Sequence, residues 1–433
     1  MDIATVATGF AVMLAFLLLS VPVATVMTIT GVVGGWLLYG MPLVDSMGSV
    51  VWGVLNDNLM TAIPLFILLG EILLRSGIAD RMYETLSLWL GRLPGGLLHS
   101  NIGASALFSA TSGSSVATAA TVATVSLPAL NDRGYAVGRS LGSLAAGGTL
   151  GILIPPSVNL LIYGSLAGVS VGQLFVAGIV PGLLLTSLFS IYIMIEAKLF
   201  PAGERAPDTI SWAERFRSLR HLGGPVLIFL VITGSIYTGF ATPTESAALG
   251  VVAALLLAIA HGAMSIDFLR QCFLNTARTS GMILLIVVGA FMLNVTLSLG
   301  GVAQAATDWV ASLGLSPAGL MIAFILFYIV LGMFMDVLSM MVLTIPVALP
   351  IVMHAGIDPI WFGIFIILMC ELGLITPPVG MNLYVVHGVR SDGGSFRDVA
   401  WGAFPYVLLM IAFALLLIAF PAIATWLPAQ MHS

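Results

Sequence analysis

Gly151-Ile152-Leu153-Ile154-Pro155-Pro156 in the first half of the chain and Gly373-Leu374-Ile375-Thr376-Pro377-Pro378 in the second are apolar stretches broken by the same proline pair. They lie 222 positions apart (151 to 373), and the same shift carries Leu127-Pro128 onto Leu349-Pro350 and Leu150 onto Leu372. The coincidence predicts a duplicated fold. A proline pair removes backbone donors and unwinds a helix, which hydrocarbon tolerates only where protein or a polar cavity satisfies the freed carbonyls. Paired interruptions in two halves of a membrane protein point to a transporter's central site.

The surrounding chain has 433 residues, 59% hydrophobic and only 8% charged, with a mean hydropathy of +1.12. A helix needs about 20 apolar residues to span the hydrocarbon, and such runs recur from Ile3 to Trp426 with short connections. This composition excludes an ordinary soluble domain and predicts an all-α polytopic membrane protein in contact with lipid throughout, without nucleic-acid chemistry. Cys272 and Cys370 lack metal-ligand spacing and read as small packing residues. The N-terminus lacks a basic start and a small-residue cleavage site, so Ile3 to Ser20 reads as a retained first helix.

Lysine and arginine resist translocation, and all 14 of them can be placed on one side of the membrane. Arg75, Arg81, Arg92, Arg133, Arg139, the group from Lys198 to Arg220, and Arg270, Arg278, Arg390 and Arg397 mark the cytoplasmic face. Gly40 to Asn58, Ser165 to Gln173, Gly239 to Pro243, Gly300 to Pro317 and His354 to Pro359 carry no base and face the other compartment. The apolar region from His99 to Leu130 has basic loops on both sides, so it should be a re-entrant hairpin. Its counterpart, Ala318 to Val352, has base-free flanks and enters from the opposite face.

The expected architecture is an inverted repeat with two re-entrant hairpins, two broken helices, ten crossings and both termini outside. Residues 1–56 form N-terminal scaffold helices, and 57–199 the first repeat with hairpin 99–130 and broken helix 151–157. A cytoplasmic linker at 200–221 and scaffold helices at 222–279 precede the second repeat, 280–427, with hairpin 318–352 and broken helix 373–382. Tyr83 to Leu93 and Ala305 to Leu313 look amphipathic and read as membrane-surface arms beside the hairpins. The end of the linker, with Trp212, Phe216 and Leu219 among charges, reads as an interfacial helix.

The hairpin tips carry the polar chemistry. Ser109 to Thr118 contains the run Ser112-Gly113-Ser114-Ser115, whose hydroxyls both donate and accept. Such a tip can coordinate Na⁺ through oxygen and hold a carboxylate through its donors; small-residue helix packing is the competing reading, above all for Ala119, Thr121 and Thr124. The second tip, Gly332 to Ser339, holds Asp336, the only acidic residue inside the hairpins. An intramembrane carboxylate is a functional candidate, as cation ligand or proton carrier, and Asp336 is also placed to cap the outgoing arm. The breaks add Ser157 and Asn159 in one half and Thr376, Gly380 and Asn382 in the other, beside free carbonyls. Half-helix N-termini favour anions and unwound carbonyls favour cations. Ser114, Ser115, Ser157, Asn159, Gly380 and Asn382 are accordingly the candidate substrate contacts. Glu71 and Arg75, spaced i, i+4, read as a local ion pair; Glu371, just before the second break, is a secondary candidate for coupling.

Ser112-Gly113-Ser114-Ser115-Val116-Ala117-Thr118, Ile154-Pro155-Pro156-Ser157, Thr242-Pro243-Thr244-Glu245 and Ile375-Thr376-Pro377-Pro378-Val379-Gly380-Met381-Asn382, in that order, resemble the large membrane subunit of tripartite ATP-independent periplasmic (TRAP) transporters. The resemblance implies an inner-membrane protein of the elevator type, in the ion-transporter superfamily. It implies sodium-driven inward transport of an organic anion, such as a C4-dicarboxylate, sialic acid or another sugar acid. Two or more Na⁺ ions are implied, and no organic cofactor. The implied partners are a small four-helix membrane subunit, expected as a separate chain, and a periplasmic binding protein that delivers substrate. By matching motif, one sodium site would use Ser112, Gly113, Ser114, Ser115 and the break from Pro155 to Ser157. The other would use Asp336, Ser339 and the break from Thr376 to Gly380.

A stand-alone sodium/anion symporter of the divalent-anion type is the alternative. An intramembrane protease fits poorly, because no His-Glu-x-x-His pattern occurs and Asp336 has no second mid-membrane aspartate to pair with.

Overall fold

A computed structural model of the chain describes residues 3–201 and 211–431, which are all-helical apart from turns and contain no strand. Helices α1 (Ile3–Leu18), α2 (Val23–Tyr39) and α3 (Met41–Leu55) lead into α4 (Asn58–Arg75) and the amphipathic α5 (Ile78–Leu90). The first hairpin is α6 (Leu97–Ser112) and α7 (Ser115–Asp132). The first broken helix is α8 (Val137–Gly148), a single turn α9 (Leu150–Leu153) and α10 (Val158–Ala167), followed by α11 (Val171–Leu199). After residues 202–210 come α12 (Trp212–Ser218), α13 (Arg220–Tyr237), α14 (Pro243–Ala260) and the 34-residue α15 (Ile266–Leu299). The second half continues with α16 (Val302–Ser312), a hairpin of α17 (Pro317–Gly332) and α18 (Val337–His354), a broken helix of α19 (Pro359–Leu374) and α20 (Met381–Val389), and α21 (Phe396–Ala419).

The duplication read from the prolines is visible in the helix ends. Helix α7 and helix α18 begin and end 222 residues apart (115 to 337, 132 to 354), and α8 and α19 begin at the same spacing (137 to 359). Pro128 and Pro350 lie inside the outgoing arms at equivalent positions. Both proline pairs contain a cis peptide bond. The two halves interlock reciprocally: α10 of the first packs on α18 of the second, and α20 of the second packs on α7 of the first. Helix α19 lies at the centre, with every residue from Trp361 to Leu374 buried.

Among the described residues, seven helices are long and apolar enough to cross a membrane, or up to nine if each bent pair counts as one span, and shorter apolar helices accompany them. The first broken span bends by 43° and the arm α16 meets α17 at 118°. Both arms begin a few residues earlier than their amphipathic pattern suggests, because Gly77 and Gly301 adopt positive φ and let the chain turn directly into them. The base-free stretch Gly40 to Asn58 contains α3, started by Pro42 in its first turn. One detail differs from the sequence reading. The division drawn at 279/280 falls inside α15, which runs on without a break because no proline or cap interrupts it. Of the expected linker, Gly203, Glu204, Arg205 and Asp208 lie outside the described residues.

Candidate functional site

Each hairpin tip is built by local turn chemistry. Helix α6 stops at Gly113, whose φ of 61° is left-handed, and the next residue, Ser114, caps α7 by accepting from the Ala117 amide at 3.3 Å. The Thr118 hydroxyl donates to the Ser114 carbonyl at 2.8 Å and lies 3.0 Å from the Ser112 hydroxyl. In the second tip the residue 222 positions on, Asp336, does the same work for α18. Its carboxylate accepts from the Leu338 and Ser339 amides at 3.1 and 3.3 Å and from the Ser339 hydroxyl.

Each tip rests on the break of its own half, and glycine permits the approach. A Cβ on Gly151 would lie 2.6 Å from the Ser115 amide nitrogen, and one on Gly373 would lie 2.7 Å from the Gly332 Cα. The Val379 amide donates to the Met333 carbonyl at 3.3 Å, tying the second break to its tip. Ser157 caps α10 by accepting from the Leu160 amide at 3.3 Å, while Thr376 returns its hydroxyl to the Leu372 carbonyl at 2.7 Å.

Between the two tips and the helices α4 and α15 lies a cavity of about 370 Å³. Its wall includes Ser112, Gly113, Ser114, Ser115, Asn159 and Asp336 from the candidate set. Pro155, Ser157, Ser339, Thr376, Gly380 and Asn382 do not line it. Ser157, Ser339, Thr376 and Asn382 are buried behind the wall, occupied with caps or neighbouring backbone. Asn382, for example, directs Nδ2 toward the Ala145 carbonyl at 3.4 Å and has no partner for Oδ1.

What converges on the cavity is a set of helix ends. The first turns of four helices reach it: Ser115 to Ala117 of α7, Val158 and Asn159 of α10, Val337 and Leu338 of α18, and Met381 of α20. Such termini present free N–H groups and the positive end of a helix dipole. The ends of α6, α9 and α19 contribute Ser112, Ile152 and Leu374 and with them the opposite polarity. Among the described residues no lysine, arginine or histidine lines the cavity, and the carboxylates that do are those of Glu71 and Asp336. Among the described residues no three His, Cys, Asp or Glu gather as a metal cluster, so a cation here would be met by hydroxyl, carbonyl and Asp336 oxygens, a hard-cation set.

Two acidic residues have larger places than their sequence context suggested. Glu71 does pair with Arg75 at 2.9 Å, and it also accepts from Asn275 of α15 at 3.3 Å and lines the cavity. Glu371 is wholly buried and accepts the Ser115 hydroxyl across the boundary between the halves, leaving Oε2 without a partner. Its position before a diproline break was the available signal. Thr279, Met282 and Ile283 of α15 give none, being ordinary residues of an apolar run.

A family model described as the tripartite ATP-independent periplasmic transporter, DctM component, matches residues 10–423. The chain belongs to this family. The C4-dicarboxylate TRAP transporter large permease protein DctM of Rhodobacter capsulatus is 32% identical over 434 residues, covering 97% of this chain and 98% of its own. The ectoine TRAP transporter large permease protein TeaC of Halomonas elongata is 30% identical, with 96% and 97% covered. Among solved structures, the Alcanivorax borkumensis YdaH transporter superposes with a TM-score of 0.64 at 15% identity, covering 90% of each chain. That likeness extends the fold beyond TRAP permeases. As a TRAP large permease the chain is a polytopic inner-membrane protein of a transport family, one that works with a substrate-binding protein and a small membrane subunit.

Proposed function

We propose that this permease carries an organic acid into the cell, driven by sodium, with the cavity between the hairpin tips as its substrate site. The observation that supports this reading best is the convergence of four helix N-termini on a cavity without a basic side chain. Each terminus carries the equivalent of roughly half a positive charge, so fixed dipoles favour a carboxylate there. Asp336 opposes it. A Na⁺ at Asp336, Ser339 and the second break would cancel that opposition, and a second at Ser112, Gly113, Ser114, Ser115 and the first break would add to the attraction. Substrate affinity would then depend on sodium, which is the physical content of coupling.

On this reading the tip-and-break unit of each half moves with its ions, as in an elevator, against a scaffold containing α4 and α15. The basic loops face the cytoplasm and both termini lie outside. A periplasmic binding protein delivers the substrate, and a separate small membrane subunit completes the transporter. The relatives' names span a C4-dicarboxylate and ectoine, so the substrate class is a small carboxylate-bearing solute. The test is reconstitution of the chain with its small subunit and cognate binding protein, followed by uptake of labelled succinate, sialic acid and ectoine. At least one should accumulate under an inward Na⁺ gradient and stop when K⁺ replaces Na⁺. Equal uptake in K⁺ would defeat the coupling. Uptake by vesicles holding only this chain would favour the stand-alone symporter.

A further inference from the structure

Outside the cavity, one cluster of charge is left without an answer. Helix α12 lies against the arm α5: the Trp89 indole donates to the Arg215 carbonyl at 3.3 Å and the Thr85 hydroxyl to the Ser218 carbonyl at 3.2 Å. Trp89 meets Trp212 and Phe216 edge-on, at 6.5 and 5.6 Å between ring centres. Over the Trp212 ring stand two guanidinium groups, that of Arg92 at 5.6 Å and that of Arg215 at 5.3 Å. Arg215 is only 4% exposed, and its Nε has no hydrogen-bond partner.

No carboxylate among the described residues pairs with either arginine. Glu214, the nearest acid in sequence, is turned back on the Ser211 amide and hydroxyl at 3.1 and 3.0 Å in a capping box. Stacking on an indole satisfies the face of a guanidinium but not its in-plane N–H donors. A buried donor without an acceptor is costly, so two cations around one ring call for an anion with several acceptor oxygens. Beside them Trp212, Phe216 and Leu219 are 60, 63 and 38% exposed, the apolar face of a short helix suited to lie at the headgroup and acyl boundary. Arg217 and Arg220 follow on the same segment, and anionic lipid attracts such clusters on the cytoplasmic leaflet.

We infer that Arg92, Arg215 and Trp212 form a binding site for the phosphodiester headgroup of an anionic phospholipid, which anchors the arm α5 and the start of α13 to the bilayer surface. The lipid's acyl chains would run along Phe216 and Leu219, and its phosphate oxygens would accept from the guanidinium edges. Arginine suits this because its planar fork matches phosphate oxygens.

The test uses the purified full-length chain in detergent, stripped of lipid and then titrated with phosphatidylglycerol, phosphatidylcholine or inorganic phosphate, with bound lipid read by native mass spectrometry. Wild type should retain one phosphatidylglycerol per chain at least tenfold more tightly than phosphatidylcholine. Arg92→Gln, at an exposed position, should lose that preference, and Arg92→Gln/Arg215→Gln should lose retention altogether. Arg270→Gln, an exposed arginine outside the cluster, should match wild type. Equal retention of the two lipids, undiminished preference in Arg92→Gln, or full displacement of the lipid by millimolar inorganic phosphate would overturn the proposal. The single variant keeps the test readable where the buried Arg215 change fails to fold.

Discussion

Asp336 and Ser114 occupy equivalent positions, each capping the outgoing arm of a hairpin, yet only one is charged. The pair separates a structural role from an electrostatic one. Replacing Asp336 by Ala removes the cap and should cost about 0.5–2 kcal/mol of stability, whereas Asn caps as well as Asp and should leave the unfolding temperature near wild type. Both changes should raise the Na⁺ concentration needed for half-maximal uptake. Unchanged sodium activation in Asp336→Asn would remove Asp336 from the ion site. Glu371 invites a second test. Its Oε1 is the acceptor for the Ser115 hydroxyl, and both residues are buried, so Glu371→Ala strands a buried donor, at about 1–3 kcal/mol. Glu371→Gln keeps an acceptor and should recover most of that loss in thermal unfolding.

At the scale of elements, the hairpins hold their place by touching backbone to backbone. Gly332 and Gly373 leave no room for a methyl group, since the Cβ built on either would fall 2.5 to 2.7 Å from the other's Cα. Gly373→Ala should push the second tip off its break and reduce uptake at least tenfold, even where the protein still reaches the membrane. Wild-type uptake by that variant would show that the contact is dispensable. The loop between α20 and α21 is held differently. Arg390 binds Asp392 at 2.5 and 2.8 Å and Asp398 at 3.0 Å. Its guanidinium hydrogen bonds hold the Asp392 carboxyl down to about 2, against an ordinary 3.8. A carboxyl depressed on folding contributes stability above its unfolded pKa and loses it as pH falls toward the folded value. The unfolding-temperature deficit of Asp392→Asn should therefore be full at neutral pH and close between about pH 4 and pH 2. Asp392 is well exposed, so the deficit should be small.

For the whole molecule, the reciprocal packing of α10 on α18 and α20 on α7 makes the two tip-and-break units mechanically dependent. A membrane potential of 100 mV supplies about 2.3 kcal/mol per net positive charge moved inward. If more positive sodium charge than negative substrate charge enters per cycle, collapsing the potential at constant Na⁺ gradient should slow uptake by the complete transporter severalfold. Potential-independent uptake would mean that the sodium charge just balances the substrate's, which is two ions for a dicarboxylate and fewer than the two proposed for a monocarboxylate.

The duplication, the hairpin turns and the breaks were legible in the chain itself, because proline, glycine and the serine or aspartate caps act within a few residues of where they stand. Gly113, Ser114, Pro155 and Asp336 could be placed in turns and caps without knowing their neighbours. Which of the candidates face the cavity was decided only in three dimensions. Ser157 and Asn382 have the same chemistry as Ser115 and Asn159, yet packing buries them behind the wall, Ser157 beneath the first tip at Gly113 and Asn382 beside Ala145, 237 residues away. Glu71 and Glu371 gained their roles in the same way, from α15 and from Ser115, 256 residues away. Local rules set where the backbone unwinds; only the interlocking of the halves decides what the unwound ends face.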